Sequence, residues 1–135
     1  MTNNAHIGRV VILVNNYDEA LQFYTEALGC TVTYDETLPD GQRYLHLAWG
    51  NPAGCGIWLM LATSAEARLQ VGRQTAGHPV MVWYTHDFEN MVDHLLRHNV
   101  QFKERPAYTP THKALHFHDI YGNEILLIEL MEELV

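Results

Sequence analysis

Short apolar runs and stretches of helical spacing alternate along the chain. Val10-Val11-Ile12-Leu13-Val14 is β-branched and brief, which predicts a buried strand. Tyr17, Ala20, Leu21, Tyr24, Ala27 and Leu28 then recur at helical spacing. Asn16 is placed to cap that helix, Glu19 to complete a capping box, and Gly29 to end it. Three strands follow, at 30–34, 43–49 and 57–61, separated by turn signals at Pro39-Asp40-Gly41 and Asn51-Pro52-Ala53-Gly54. The series then returns. Residues 80–85 predict a strand; Asp87 caps a helix carrying Phe88, Met91, Val92, Leu95 and Leu96, and Asn99 ends it. Strands are predicted at 101–104, stopping at Pro106, and at 114–118 and 124–130.

The two series are copies. Asp87 follows Asn16 by 71 positions, as Phe88 follows Tyr17 and Val92 follows Leu21, while Leu115-His116-Phe117 follows Leu45-His46-Leu47 by 70. This internal repeat predicts an α+β fold of two tandem βαβββ modules within one domain spanning residues 1–135. The modules cover about 7–62 and 80–131, and residues 63–79 lack a strong period and read as a linker.

Composition narrows the function classes. Eight Lys and Arg stand against 16 Asp and Glu, a net charge of −8, which argues against nucleic-acid and anionic-membrane partners. No apolar run approaches the ~20 residues of a membrane span. Cys30 and Cys55 have no metal-type spacing, so reduced thiols in a cytoplasmic protein are expected. Nine histidines supply the side chains whose charge changes near neutral pH.

The run from Arg9 to Tyr24 with Leu28-Gly29, and the turn Phe117-His118-Asp119-Ile120-Tyr121-Gly122-Asn123, together with the repeat, resemble the vicinal oxygen chelate superfamily. That superfamily includes glyoxalase I, extradiol dioxygenases, fosfomycin resistance proteins and bleomycin-binding proteins. Ile120 and Tyr121 stand where the family has proline and its neighbour. The resemblance implies a curled sheet around a shared cup, helices outside, and commonly a homodimer. Metal-dependent members carry one ligand on the first and one on the last strand of each module. Those positions project onto Arg9, Val80, Leu126 and about Leu59, with an error of one residue at the last. A protonated guanidinium and hydrocarbon side chains offer a divalent ion no lone pair, so no metal and no cofactor is expected. His78 is a displaced ligand only if its strand extends past Pro79.

Strand parity predicts what lines the cup. Leu45 and Leu47 should meet the helix layer, turning Tyr44 and His46 inward, and the same reasoning turns His116 and His118 inward. Arg9, Val11 and Leu13 share that face with Val80, Val82, Tyr84 and Leu126, and Glu124 falls near a rim. Either Trp58 or Leu59 points inward. The candidate ligand-binding residues are therefore Arg9, Tyr44, His46, Trp58, Tyr84, His116 and His118. Arg9 reads as an anion or carbonyl anchor or as half of a surface ion pair. His46, His116 and His118 read as wall residues, as acid–base groups or as a noncanonical metal cluster. His94 and His98 read as a solvated helix face, and Arg73-Gln74 as a solvated loop.

Three functions follow as expectations. The first is metal-independent binding of a small hydrophobic or aromatic molecule, a cationic one included, in the manner of a sequestration or resistance protein. The second is a glyoxalase-like lyase or isomerase, or a related enzyme, using the cup histidines as acid, base or noncanonical ligands. The third is a structural partner whose cup is filled by its own side chains.

Overall fold

Strand β1, Arg9–Val14, alternates strictly: Ile12 and Val14 are fully buried while Arg9 and Val11 are exposed. The computed structural model of the chain describes residues 4–50 and 54–131. The expected turn at Asn51-Pro52-Ala53 and the first residues Met1-Thr2-Asn3 lie outside the described residues. Contacts divide the chain into two compact units, residues 1–68 and 69–135.

In the first unit, Asn16 Oδ1 accepts the Glu19 backbone N–H at 2.9 Å and so starts helix α1, Tyr17–Gln22. Residues Phe23–Ala27 continue it with wider π-type spacing. The Thr25 hydroxyl donates to the Leu21 carbonyl at 2.8 Å, a side-chain bond that competes with the helix ladder there. Gly29, at φ 76°, ends the helix as the sequence predicts. Strands β2 (Thr31–Thr37), β3 (Arg43–Ala48) and β4 (Gly56–Leu61) complete a sheet of order β1-β4-β3-β2, in which β1 runs parallel to β4. Ala20, Tyr24, Leu45, Leu47 and Leu59 are fully buried and form the core of this unit with Ile12 and Val14. Each such aliphatic side chain removed from water contributes about 1.5–3 kcal/mol.

Helix α2, Ala65–Gln70, occupies the stretch expected to lack a period. Ser64 Oγ accepts the Ala67 N–H at 3.0 Å, a capping signal that the helix's short length had hidden. The second unit contains β5 (Pro79–Tyr84), α3 (Phe88–Arg97), β6 (Ala107–Tyr108), β7 (His112–His118) and β8 (Glu124–Leu130). Its sheet order is β5-β8-β7-β6, with β5 parallel to β8, so it repeats the first sheet strand for strand. Phe88, Leu95, Leu115, Phe117 and Ile125 are its fully buried core. Among the described residues, no helix is long and apolar enough to cross a membrane.

Two local expectations are corrected. Asp87 makes no side-chain cap to α3; its carboxylate accepts Asn90 Nδ2 at 3.0 Å, and Glu129 Oε1 on β8 accepts the Phe88 N–H at 2.9 Å. The helix start is thus held by a carboxylate from the sheet, which its positive end favours. The strand expected at 101–104 is reduced to a bridge between Phe102 and Phe117. Gln101 O and Lys103 N–H still bond along β7, but regular pairing resumes only at Ala107, beyond Pro106, which has no N–H to give.

Gly72 sits at φ 76°, and a Cβ there would stand 1.9 Å from the Tyr121 carbonyl oxygen. Gly77, at φ 89°, has open space around it. Gly72→Ala is expected to cost at least about 2 kcal/mol, against about 1 kcal/mol for Gly77→Ala. Equal melting-temperature losses for the two variants would contradict the close approach.

Candidate functional site

The face of each sheet turned away from its helix carries the candidate residues. In the first unit, Val11 pairs with Trp58, Trp58 with His46, and His46 with Tyr34, forming one row across all four strands. The rings of Tyr34 and His46 lie 5.4 Å apart, those of His46 and Trp58 5.1 Å, and those of Tyr44 and Trp58 5.4 Å. Three of the predicted residues, Tyr44, His46 and Trp58, are therefore brought into one aromatic cluster. Tyr34 completes it. Parity along β2 would have indicated Tyr34, but an edge strand exposed throughout gives no clear inward face to read. Leu59 is fully buried among the core residues, which assigns the inward position to Trp58.

His46 is only 9% exposed, yet neither ring nitrogen has a hydrogen-bond partner among the described residues. Burial keeps the imidazole neutral, holding its pKa below the ordinary value, and the positive charge of Arg9 lowers it further. Arg9 itself is exposed at the start of β1 and has no ion-pair partner among the described residues, which removes the surface-pair reading within that set. The carboxylate near this face is that of Glu36, which accepts the Tyr34 hydroxyl.

In the second unit the equivalent row is Val82, Leu126 and His116. His46 and His116 thus occupy matching places, as do Trp58 and Leu126. Glu124 is not at a rim: it is 5% exposed, and its carboxylate binds His116 Nδ1 at 2.6 Å and Lys103 Nζ at 2.9 Å. Burial opposes its ionisation, but the bonds from Lys103 and His116 prevail and hold its pKa below the usual carboxylate value. Lys103 was missed because it belongs to the segment that departs from a regular strand. His118 pairs in register with Glu124, and its buried Nδ1 has no hydrogen-bond partner among the described residues. Tyr84 is 69% exposed and pairs with Ile128, one row away from His116, so it does not join the Glu124 cluster.

The residues at the family's four ligand positions do not fit a divalent cation. Arg9, Trp58, Val80 and Leu126 offer one guanidinium, an indole and two hydrocarbon groups. Among the described residues, no three His, Cys, Asp or Glu side chains are grouped to hold a metal ion. His78 lies outside β5, exposed, with its N–H bonded to the Thr75 carbonyl. The rings of His94, half-buried on α3, and His98, exposed at its C-cap, lie 4.2 Å apart. Trp49 donates to the Leu28 carbonyl at 2.7 Å and Trp83 packs edge-on against Phe117, so both are structural. Two surface clefts are also present: one of about 410 Å³ beside Tyr17, Asp40 and Met60, the other of about 510 Å³ between α3 and residues 102–106, with Lys103 of the Glu124 cluster in its lining.

The depressed His46 pKa has a consequence for stability. Below its ordinary value of 6.5 the unfolded chain takes up a proton that the folded site resists. This contribution is complete above that value and is lost as the pH falls through the lowered folded pKa. His46→Leu should remove the part of the acid slope that sets in as the pH falls below the ordinary histidine value of 6.5. Parallel losses of melting temperature in parent and variant would argue against a buried neutral imidazole.

Comparison with known proteins agrees with this architecture. An uncharacterized protein of Shewanella frigidimarina (strain NCIMB 400) is 26% identical over 129 residues, covering 94% of this chain and 95% of its own. The crystal structure of UcmS2 matches with a TM-score of 0.81 at 24% identity, covering 93% of this chain and 98% of its own. TnmS3, described as an antibiotic binding protein from Streptomyces sp. CB03234, matches with a TM-score of 0.78 at 21% identity, covering 97% of this chain and all of its own. The family profile described as Glyoxalase/Bleomycin resistance protein/Dioxygenase superfamily matches residues 6–127. With the tandem modules and that match, the chain belongs to the glyoxalase/bleomycin resistance protein/dioxygenase superfamily, with none of the usual metal-ligand residues at the positions where its metal-dependent members hold an ion.

Proposed function

We propose that the chain binds a small planar aromatic molecule on the open face of its first sheet, without a metal, as a sequestration or resistance protein would. One observation carries this reading: between the rings of Tyr34 and Trp58, both nitrogens of the buried His46 ring have no hydrogen-bond partner among the described residues. A buried polar group without a partner costs about 1–3 kcal/mol, and a ligand that satisfies it recovers that energy. The neutral imidazole presents one donor and one acceptor, and the rings of Tyr44 and Trp58 supply flat apolar area. Arg9 adds a positive charge beside them, so an aromatic body bearing a carbonyl or carboxylate fits better than a cation. The antibiotic-binding description of TnmS3 supports the same class of role. The two free thiols, Cys30 buried and Cys55 exposed, suit a reducing cytoplasm, and a homodimer is the assembly we infer from the family's habit.

Titration with 2-naphthoate is expected to quench tryptophan fluorescence saturably. Trp58→Leu and His46→Ala should each weaken binding about tenfold or more, while Trp49 and Trp83 still report the fold. Absence of saturable quenching by any aromatic carboxylate would overturn the proposal. Quenching by a planar cation alone would reassign the recognition to Glu36 and the tyrosines. Sedimentation at micromolar concentration is expected to show a dimer; a stable monomer would contradict that assembly.

A further inference from the structure

The second unit holds a different arrangement at the matching place, independent of the aromatic cluster on the first. Glu124 is almost completely buried, and both its carboxylate oxygens are engaged, Oε1 by Lys103 Nζ and Oε2 by His116 Nδ1. An ionised carboxylate only accepts hydrogen bonds, so the 2.6 Å contact requires His116 to carry its proton on Nδ1. In the neutral ring, Nε2 is then a bare acceptor. Lys103 holds the carboxylate in place and keeps it charged. The His116 side chain is 36% exposed, so a ligand can reach it. Val82 and Leu126 share its row and give the approach an apolar wall. A carboxylate behind a histidine, fixing its tautomer and offsetting an imidazolium, is the same orienting logic that serves the base of hydrolase triads.

We propose that His116, positioned by Glu124 and Lys103, is a proton acceptor for an apolar ligand bearing a weakly acidic hydroxyl, a phenol or an enol. The ligand O–H bond breaks, the Nε2–H bond forms, and the phenolate or enolate is left beside an imidazolium whose charge Glu124 balances. No oxidant, reductant or metal enters the step. The charged and titratable groups facing His116 are Glu124 on β8, Lys103 from the segment before β6, and His118 on its own strand.

Two measurements on the full chain test this. Long-range proton–nitrogen NMR correlations, assigned through loss of the His116→Gln signals, are expected to show the Nδ1–H tautomer in the ligand-free protein. An Nε2–H tautomer would overturn the proposal without any variant having to fold. Absorbance of 4-nitrophenol, read below the phenol's own pKa, is expected to show its ionised fraction rising about threefold on binding. That gain should vanish in His116→Gln, shrink in Glu124→Gln, and persist in His94→Gln on the far surface. A gain that survives His116→Gln but is lost in Trp58→Leu would place the probe on the first unit's face and refute a base at His116. No gain at all would refute it as well.

Discussion

A pleated strand that lays alternate residues against a helix must give its other residues to the opposite face. That constraint governs both units. Ile12, Val14, Leu45, Leu47 and Leu59 are committed to the first core, so Val11, His46 and Trp58 have nowhere to go but the open face. Slipping β3 by one residue would carry Leu45 and Leu47 out to solvent and bring His46 into the core. At about 1.5–3 kcal/mol per buried leucine, the register is held by far more energy than the polar groups on the open face could redirect.

The second sheet obeys the same rule, with Leu115, Phe117, Ile125 and Leu127 buried in its core. Its open-face chemistry has nonetheless diverged. Where the first row sets an indole beside a histidine, the second sets Leu126 beside His116. The first histidine is buried, with no hydrogen-bond partner for its ring among the described residues; the second is exposed enough to be reached and is clamped by a carboxylate. One repeat therefore offers stacking area and an unsatisfied imidazole, and the other offers a fixed tautomer. At the positions where metal-dependent relatives carry ligands, Arg9 opens β1, Val80 follows Pro79 in β5, and Trp58 and Leu126 stand beside the two histidines.

Glu124 shows how such a site can be stable. A carboxylate left alone at 5% exposure would be costly to ionise, and protonation would be the usual escape. Two donors on separate oxygens change the balance, and the group stays ionised below its ordinary pKa. The irregular segment between α3 and β6 makes this possible, because it places Lys103 beside the end of β7 instead of burying it in a regular strand.

The amino-acid order alone determined the repeat, the faces of β1, β3 and β7, and the helix ends at Asn16, Gly29 and Asn99, because each follows from spacing, propensity or a backbone angle within a few residues. Set beside the family resemblance, it also put Arg9, an obligate cation, where metal-dependent members carry a ligand. Tertiary structure decided whether Trp58 or Leu59 faces inward, since a one-residue shift reverses a strand and only pairing with β1 and β3 fixes it. It also decided that Glu129 rather than Asp87 holds the start of α3, and that Lys103 and His116 meet on Glu124. Those contacts join residues 41, 21 and 8 positions apart, and no local pattern of hydrophobicity or charge encodes which partner arrives.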